Sequence, residues 1–269
     1  MESTTPLPIA LGNSPLNSIR TGPRGRAPVV LLHAVGIDLT MWGPQIAALR
    51  ESHDVIALDL PGHGLSDSLA GKLTFSDFAA VVARVVTAAA AGPAHLVGIS
   101  FGGMVAQVVA LEHPALVRSL SLIGTACTFA EAGRAALRDR ASFVREHGMR
   151  AVAPLSLARW FTPEFSQRRP DVLDGITKIL YRQDAAFHAA AWDLIATLDT
   201  QAGLRAATLP AQLIVGAEDT STPVAAAHTL AAALRTTAVH VVPGSAHFTN
   251  LEAPKTVNDL LLSFLGSLA

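Results

Sequence analysis

Along the first half of the chain, short blocks of continuous apolar residues alternate with longer blocks in which apolar positions recur every three or four residues. PVVLLH (residues 28–33), DVIALD (54–59), AHLVGIS (94–100) and LVRSLSLIG (116–124) are of the first kind. MWGPQIAALRES (41–52), FSDFAAVVARVVTAAAA (75–91) and FGGMVAQVVALEHP (101–114) are of the second. Strands that are apolar at every position need cover on both faces, and intervening amphipathic helices supply it. The pattern therefore predicts a mostly parallel sheet flanked by helices. The same alternation returns near the end, with AQLIVGAED (211–219), PVAAAHTLAAALR (223–235), AVHVVPGSAH (238–247) and APKTVNDLLLSFLGSL (253–268). Between the two blocks the strand signals vanish, and the text is rich in Arg, Ala and other helix formers with Pro and Gly stops. Several inserted helices are expected there. The predicted organisation is an α/β core of residues 1–126 and 209–269, carrying a helical cap at 127–208. No internal repeat or low-complexity linker separates the two.

Composition narrows the partners. With 269 residues the chain can bury a large core, and half of it is hydrophobic against 15% charged, with a formal net charge of −1. Neither a nucleic-acid footprint nor a polybasic membrane patch fits that balance, so a small-molecule ligand is expected. The longest apolar stretch, FAAVVARVVTAAAAG (78–92), is broken by Arg84 and reads as a core-facing helix, not a membrane span. The start, MESTTPLPIALGNSP, lacks a basic segment followed by a long apolar run, so no secretory leader is expected. The single cysteine, Cys127, has no partner within the chain and reads as a small apolar filler in a reducing compartment. A soluble cytoplasmic protein is the expectation, with self-association left open.

One pentapeptide carries chemistry. In HLVGISFGGMVAQVV, Ser100 stands between Gly98 and Gly102, after a strand pattern and before a helix pattern. A chain with twenty glycines can produce G-x-S-x-G by chance. The strand-to-helix setting gives it mechanical meaning, because a serine at such a turn projects outside the carboxyl edge of the sheet. A hydroxyl is a weak nucleophile and needs a base, usually a histidine oriented by a carboxylate. Of ten histidines, His95 heads a strand, His113 ends a helix and His228 lies on a surface helix. His247 falls in PGSAHFTNLEAP, a loop between the last strand and the last helix, and is the expected base. The acid should follow the preceding strand, where GAEDTSTP offers Glu218 and Asp219. Asp219 is the choice and Glu218 the fallback. Acyl transfer also needs donors for a developing oxyanion. The backbone N–H groups of Phe101 and of Val35, in LLHAVGIDLTMW, are the candidates. No cluster has metal-ligand spacing, so neither metal nor other cofactor is expected. The GPRGRAP stretch (22–28) has no strand before it and no helix after it, which disfavours a phosphate loop.

HAVG with Trp42 downstream, DLPGHGLSD, GISFGG, GAEDTSTP and GSAHFTNLEAP together resemble the α/β-hydrolase fold superfamily over nearly the whole chain. Within it, Gly36, Asp38, Met41 and Trp42 and the segment ASFVREHGMRAVAPLSLARWFTPEF (141–165) are similar to 3-oxoadipate enol-lactonases. The chain departs from the common superfamily pattern at Ala34 and Phe101, where only backbone groups are needed, and it has His33 and Ala34 where the oxyanion turn of those enzymes often opens with asparagine and serine. The resemblance implies a metal-independent serine hydrolase of a small ester or lactone. A general carboxylesterase, a carbon–carbon bond hydrolase with the same triad and a small-molecule receptor are the alternatives. It also implies that His33 and His63 hold loops through hydrogen bonds. If the substrate is an enol-lactone with a free carboxylate, one cap arginine among Arg134, Arg138, Arg145, Arg159 and Arg182 is expected to bind it. Trp160 is expected in the cap core or the pocket wall.

Overall fold

A computed structural model describes residues 10–11 and 14–268. Residues 1–9, which include most of the stretch read above as lacking a leader, lie outside the described residues. In chain order the strands are β1 (Ala10–Leu11), β2 (Ser14–Pro15), β3 (Ser18–Thr21), β4 (Val29–Leu32), β5 (Val55–Leu58), β6 (Ala94–Ile99), β7 (Val117–Ile123), β8 (Ala211–Gly216) and β9 (Val239–Val242). The helices are α1 (Gly43–Leu49), α2 (Phe75–Ala89), α3 (Phe101–Glu112), α4 (Glu131–Trp160), α5 (Pro163–Arg168), α6 (Pro170–Arg182), α7 (Ala185–Ile195), α8 (Gln201–Leu204), α9 (Val224–Leu234), α10 (Thr249–Glu252) and α11 (Pro254–Gly266).

β3 to β9 form a seven-stranded sheet in the order β3-β5-β4-β6-β7-β8-β9, with β3 antiparallel and the rest parallel. Each expected apolar block became a strand for the reason its composition suggests. Every residue of β4, β5, β6 and β8 is buried, so both faces of the pleat need apolar side chains. Helices with one apolar stripe cover them. In α2, for example, Phe78, Val82, Val85 and Val86 face inward while Arg84 faces out. That helix starts at a reciprocal cap, Thr74 accepting from the Asp77 N–H and the Asp77 carboxylate accepting from the Thr74 N–H. It ends at Ala90, whose φ of 53° leaves the helical region.

β3 escapes the pattern reading. Its sequence, Ser-Ile-Arg-Thr, is mostly polar, and it is held at the sheet edge by pairing with β5 and by Arg20, whose Nη2 lies 2.6 Å from the fully buried Asp54 carboxylate. Arg24, from the GPRGRAP stretch, pairs with the same carboxylate.

Between β7 and β8 the chain forms α4 to α8. It leaves and returns at one neck, where Thr128 bridges Asp199 and the Thr200 N–H donates to the Cys127 carbonyl at 2.8 Å. α4 is interrupted at Gly148, whose φ of 69° is left-handed. Among the described residues no helix is long and apolar enough to cross a membrane.

Register decides where the chemistry gathers. Leu32 lies level with Gly98 and with Leu58, Ile99 with Ile123, and Gly216 with Val242. The turns after β4, β6, β8 and β9 therefore emerge together at the carboxyl edge of the sheet.

Candidate active site

Ser100 is the residue between β6 and α3, with φ 52° and ψ −118°. A side chain at positive φ is strained, and the surroundings hold it there. The Ser100 N–H donates to the Ile123 carbonyl at 2.9 Å, and the Ser100 carbonyl accepts from Met104 N–H at 3.1 Å and Thr125 Oγ1 at 2.8 Å. The flanking glycines are needed because the turn is crowded. A Cβ on Gly102 would sit 2.1 Å from the Leu32 carbonyl oxygen, and one on Gly98 2.5 Å from the Gly102 oxygen. Only glycine lets α3 begin this close to the end of β4.

His247 and Asp219 meet across two loops. His247 Nδ1 is 2.8 Å from Asp219 Oδ2, and both residues are buried. Asp219 also accepts from the Ser221 and Thr222 N–H groups, at 2.8 and 2.9 Å, and from Thr222 Oγ1 at 2.8 Å. Burial alone would push this carboxyl up. The charge and hydrogen bond of His247, with the Thr222 donors, outweigh burial and hold it below the usual carboxylate range. Glu218, the other acid considered, is exposed and does not reach the imidazole; its N–H donates to the Ser245 carbonyl.

Ser100 and His247 line one cavity of about 20 Å³, which also takes in Val35, Met104, Trp160 and Trp192. Ser100 Oγ makes no hydrogen bond among the described residues, leaving it free for a ligand or the imidazole. Val35 and Phe101 are buried, and among the described residues neither N–H has an acceptor. For Phe101 the reason is its place in the first turn of α3, where backbone donors have no intrahelical partner. The dipole of α3 adds a positive end behind Ser100.

The base loop is fastened to the cap. Glu252 accepts from the Thr162 N–H and Thr162 Oγ1, each at 2.8 Å, and from the Ala246 N–H at 2.5 Å. The Phe248 N–H donates to the Trp160 carbonyl at 3.0 Å, and the two rings stack at 4.7 Å. Trp160, buried at the end of α4, thus belongs to the cap core and to the cavity wall at once.

The histidines of the resemblance hold loops. His33 Nε2 accepts the Leu60 N–H at 2.8 Å, so its proton is on Nδ1, which donates to the Ala34 carbonyl at 2.8 Å. His63 Nδ1 lies 3.1 Å from the Pro61 carbonyl. Asp59, from DLPGHGLSD, accepts the Leu39 and Leu65 N–H groups at 2.7 and 2.8 Å and so ties the turn after β4 to the turn after β5. Asp38 caps the short helix at Leu39–Trp42. Cys127 is buried, and burial pushes its thiol up, away from a reactive thiolate.

Sequence reasoning missed His188. On α7, its Nε2 accepts the Trp192 indole N–H at 2.9 Å, and its ring packs against the turn that carries Val35, so closely that a Cβ on Gly36 would lie 2.6 Å from its Cε1. The spacing of four between His188 and Trp192 on one helix face was the available signal. Burial lowers the His188 pKa to about 4, and burial likewise lowers those of His33 and His63.

A pH dependence of stability follows. A free imidazole takes a proton near pH 6.5, and folded His188 refuses it until about pH 4. The stabilising effect of the neutral ring is full above pH 6.5 and is lost as pH falls toward 4. His188 alone contributes roughly 3 kcal/mol to that loss. Urea unfolding at pH 7 and at pH 5 should give a clearly smaller unfolding free energy at pH 5, and His188→Gln should flatten the difference. An equal slope in wild type and variant would remove His188 from this role.

The sequence pattern of the alpha/beta hydrolase family matches residues 29–260. 3-oxoadipate enol-lactonase 2 of Acinetobacter baylyi is 29% identical over 243 residues, which cover 90% of this chain and 90% of the relative. (E)-2-((N-methylformamido)methylene)succinate hydrolase of the same organism is 27% identical, over 88% of this chain and 90% of its own. Among solved structures, the enol-lactonase from Burkholderia xenovorans LB400 superposes with a TM-score of 0.86 at 29% identity, covering 93% of this chain and 96% of that one.

Proposed function

Because the chain belongs to the alpha/beta hydrolase family, we propose that it cleaves a small carboxylic ester or lactone through an acyl-enzyme on Ser100, with 3-oxoadipate enol-lactone as the leading substrate. The observation that carries this reading is the buried His247–Asp219 pair at 2.8 Å opening onto the same cavity as Ser100. With its Nδ1 proton donated to Asp219, the imidazole keeps Nε2 as a lone-pair base. That nitrogen takes the Ser100 Oγ proton as Oγ adds to the substrate carbonyl. The resulting oxyanion is met by the Val35 and Phe101 N–H groups, which among the described residues have no other acceptor to give up, so little reorganisation opposes the step. Collapse of the tetrahedral species breaks the carbon–oxygen bond, and His247 returns its proton to the leaving oxygen. In a lactone that oxygen stays tethered to the acyl group, and an enol so released tautomerises to the ketone. Water then adds to the acyl-enzyme by the same relay and frees the acid.

The lactone preference draws on the two relatives above, one named for an oxoadipate enol-lactone and one for a substituted succinate. Both names are built on a dicarboxylic acid, oxoadipate in one and succinate in the other.

A fluorophosphonate probe and an activated acetate ester test the proposal together. The protein should release nitrophenol with a burst close to one equivalent, and the probe should add once, on the peptide containing Ser100. Failure to turn over the ester, or a probe found on another residue, would overturn it.

A further inference from the structure

Most cap arginines are occupied. Arg134 donates to the Ala196 and Leu198 carbonyls at 2.6 and 2.9 Å and so fastens the neck of the insertion. Arg138 pairs with Glu131, Arg145 with Asp193 and Arg169 with Asp171, all on the surface. Arg182 is exposed and lies 3.8 Å from Asp38. Two half-buried arginines differ. Arg140 and Arg159 have no carboxylate partner among the described residues.

Both line a cavity of about 300 Å³ whose other walls are largely apolar, formed by Phe143, Val144, Val152, Leu155 and Trp192. Arg140 lies over the Trp192 ring, 5.3 Å from its centre, and both also border the cavity of Ser100 and His247. The two cavities therefore share a wall. Arg159 Nε is buried without an acceptor, and Arg159 Nη2 has only a 3.4 Å contact to Ser156 Oγ. Asp139, at the rim, is exposed and forms no ion pair with either arginine. Burial first, and the Arg140 charge second, lower the Arg159 pKa to about 10. At neutral pH both guanidiniums stay charged, so the fold holds two like charges against an apolar chamber, with neither paired to a carboxylate side chain among the described residues. Such an arrangement costs stability unless something repays it, and a bound anion would. A planar guanidinium pair suits a carboxylate, whose two oxygens can each accept from a different fork.

We propose that Arg140 and Arg159 bind the remote carboxylate of a substrate whose reacting carbonyl sits at Ser100. The identity of the reacting end rests on the serine-hydrolase reading; the anion site does not. The chamber then selects acyl groups that end in a negative charge over equally long neutral ones.

The test compares 4-nitrophenyl hydrogen glutarate with 4-nitrophenyl pentanoate, and adipate with adipamide as non-reacting ligands. In wild type the charged ester should have the higher kcat/KM, and its advantage should shrink as salt rises. Arg159→Gln and Arg140→Gln should each cut the charged-to-neutral ratio by about ten- to a hundredfold. Arg138→Gln, on the surface, should leave it at the wild-type value. Adipate should bind the wild type, read by tryptophan fluorescence, at least about tenfold more tightly than either cavity variant, and adipamide should not bind. Ratios within twofold of wild type in both cavity variants, with adipate binding unchanged, would overturn the anion site while leaving the hydrolase reading intact. Arginine-dependent adipate binding without turnover of either ester would do the reverse.

Discussion

Ser100→Ala is expected to lower kcat on every ester or lactone the protein cleaves by about a thousandfold or more, with an unchanged circular dichroism spectrum and melting temperature. The fold should tolerate the change because Ser100 is held by its backbone, through Ile123, Met104 and Thr125, while its Oγ makes no hydrogen bond among the described residues. Alanine occupies the same positive φ with about the same strain, so the variant isolates the hydroxyl. His247→Ala should be comparably damaging, and the double variant should be little worse than either single one, since base and nucleophile act as a unit. Near wild-type turnover by Ser100→Ala in a steady-state assay would remove the acyl-enzyme proposal.

Asp219→Asn is expected to cost on the order of 10⁴-fold in kcat, against a change within about threefold for Glu218→Gln. The asymmetry comes from the proton inventory. As a carboxylate, Asp219 only accepts, so the imidazole must present its proton at Nδ1 and its lone pair at Nε2. Donors from Ser221 and Thr222 already engage the Asp219 oxygens, and an asparagine placed there turns its NH₂ toward the ring. The ring then carries its proton on Nε2, where it cannot serve as the base. Glu218 is exposed and contributes its backbone to the turn, which Gln preserves. Rate measurements on the two variants across pH 6–9 decide the matter, and the reverse ranking would move the acid to Glu218.

The parts of this molecule that were legible in the sequence are those where one local pattern has one physical cause. Val29–Leu32 and Ala94–Ile99 read as buried strands because nothing but a covered parallel sheet accommodates apolar side chains on both faces. Ser100 stood out because two glycines beside a strand end have a steric purpose, and the order of serine, acid and histidine along the chain brought in Asp219 and His247. β3 was invisible for the converse reason. An edge strand with half-buried Ile19 and Arg20 has no periodic signature, and its stability comes from Asp54, 34 residues away from Arg20 in the chain. The cap arginines show the same limit. Arg140 was not singled out while Arg134 and Arg138 were, because the sequence records a charge and not its partner. Only the fold reveals that Arg134 is spent on carbonyls and Arg138 on Glu131, leaving Arg140 and Arg159 without a carboxylate side chain among the described residues.

The backbone at Ser100 has a bearing on how variants of this protein should be sought. At φ 52° a residue with a Cβ carries strain of about 1–3 kcal/mol that glycine would not. Folding stability and reactivity therefore pull in opposite directions at this one position: Ser100→Gly relaxes the turn and deletes the nucleophile. A library sorted only for thermal tolerance or expression would enrich the inactive glycine, so selection has to score turnover alongside stability if position 100 is left free to vary.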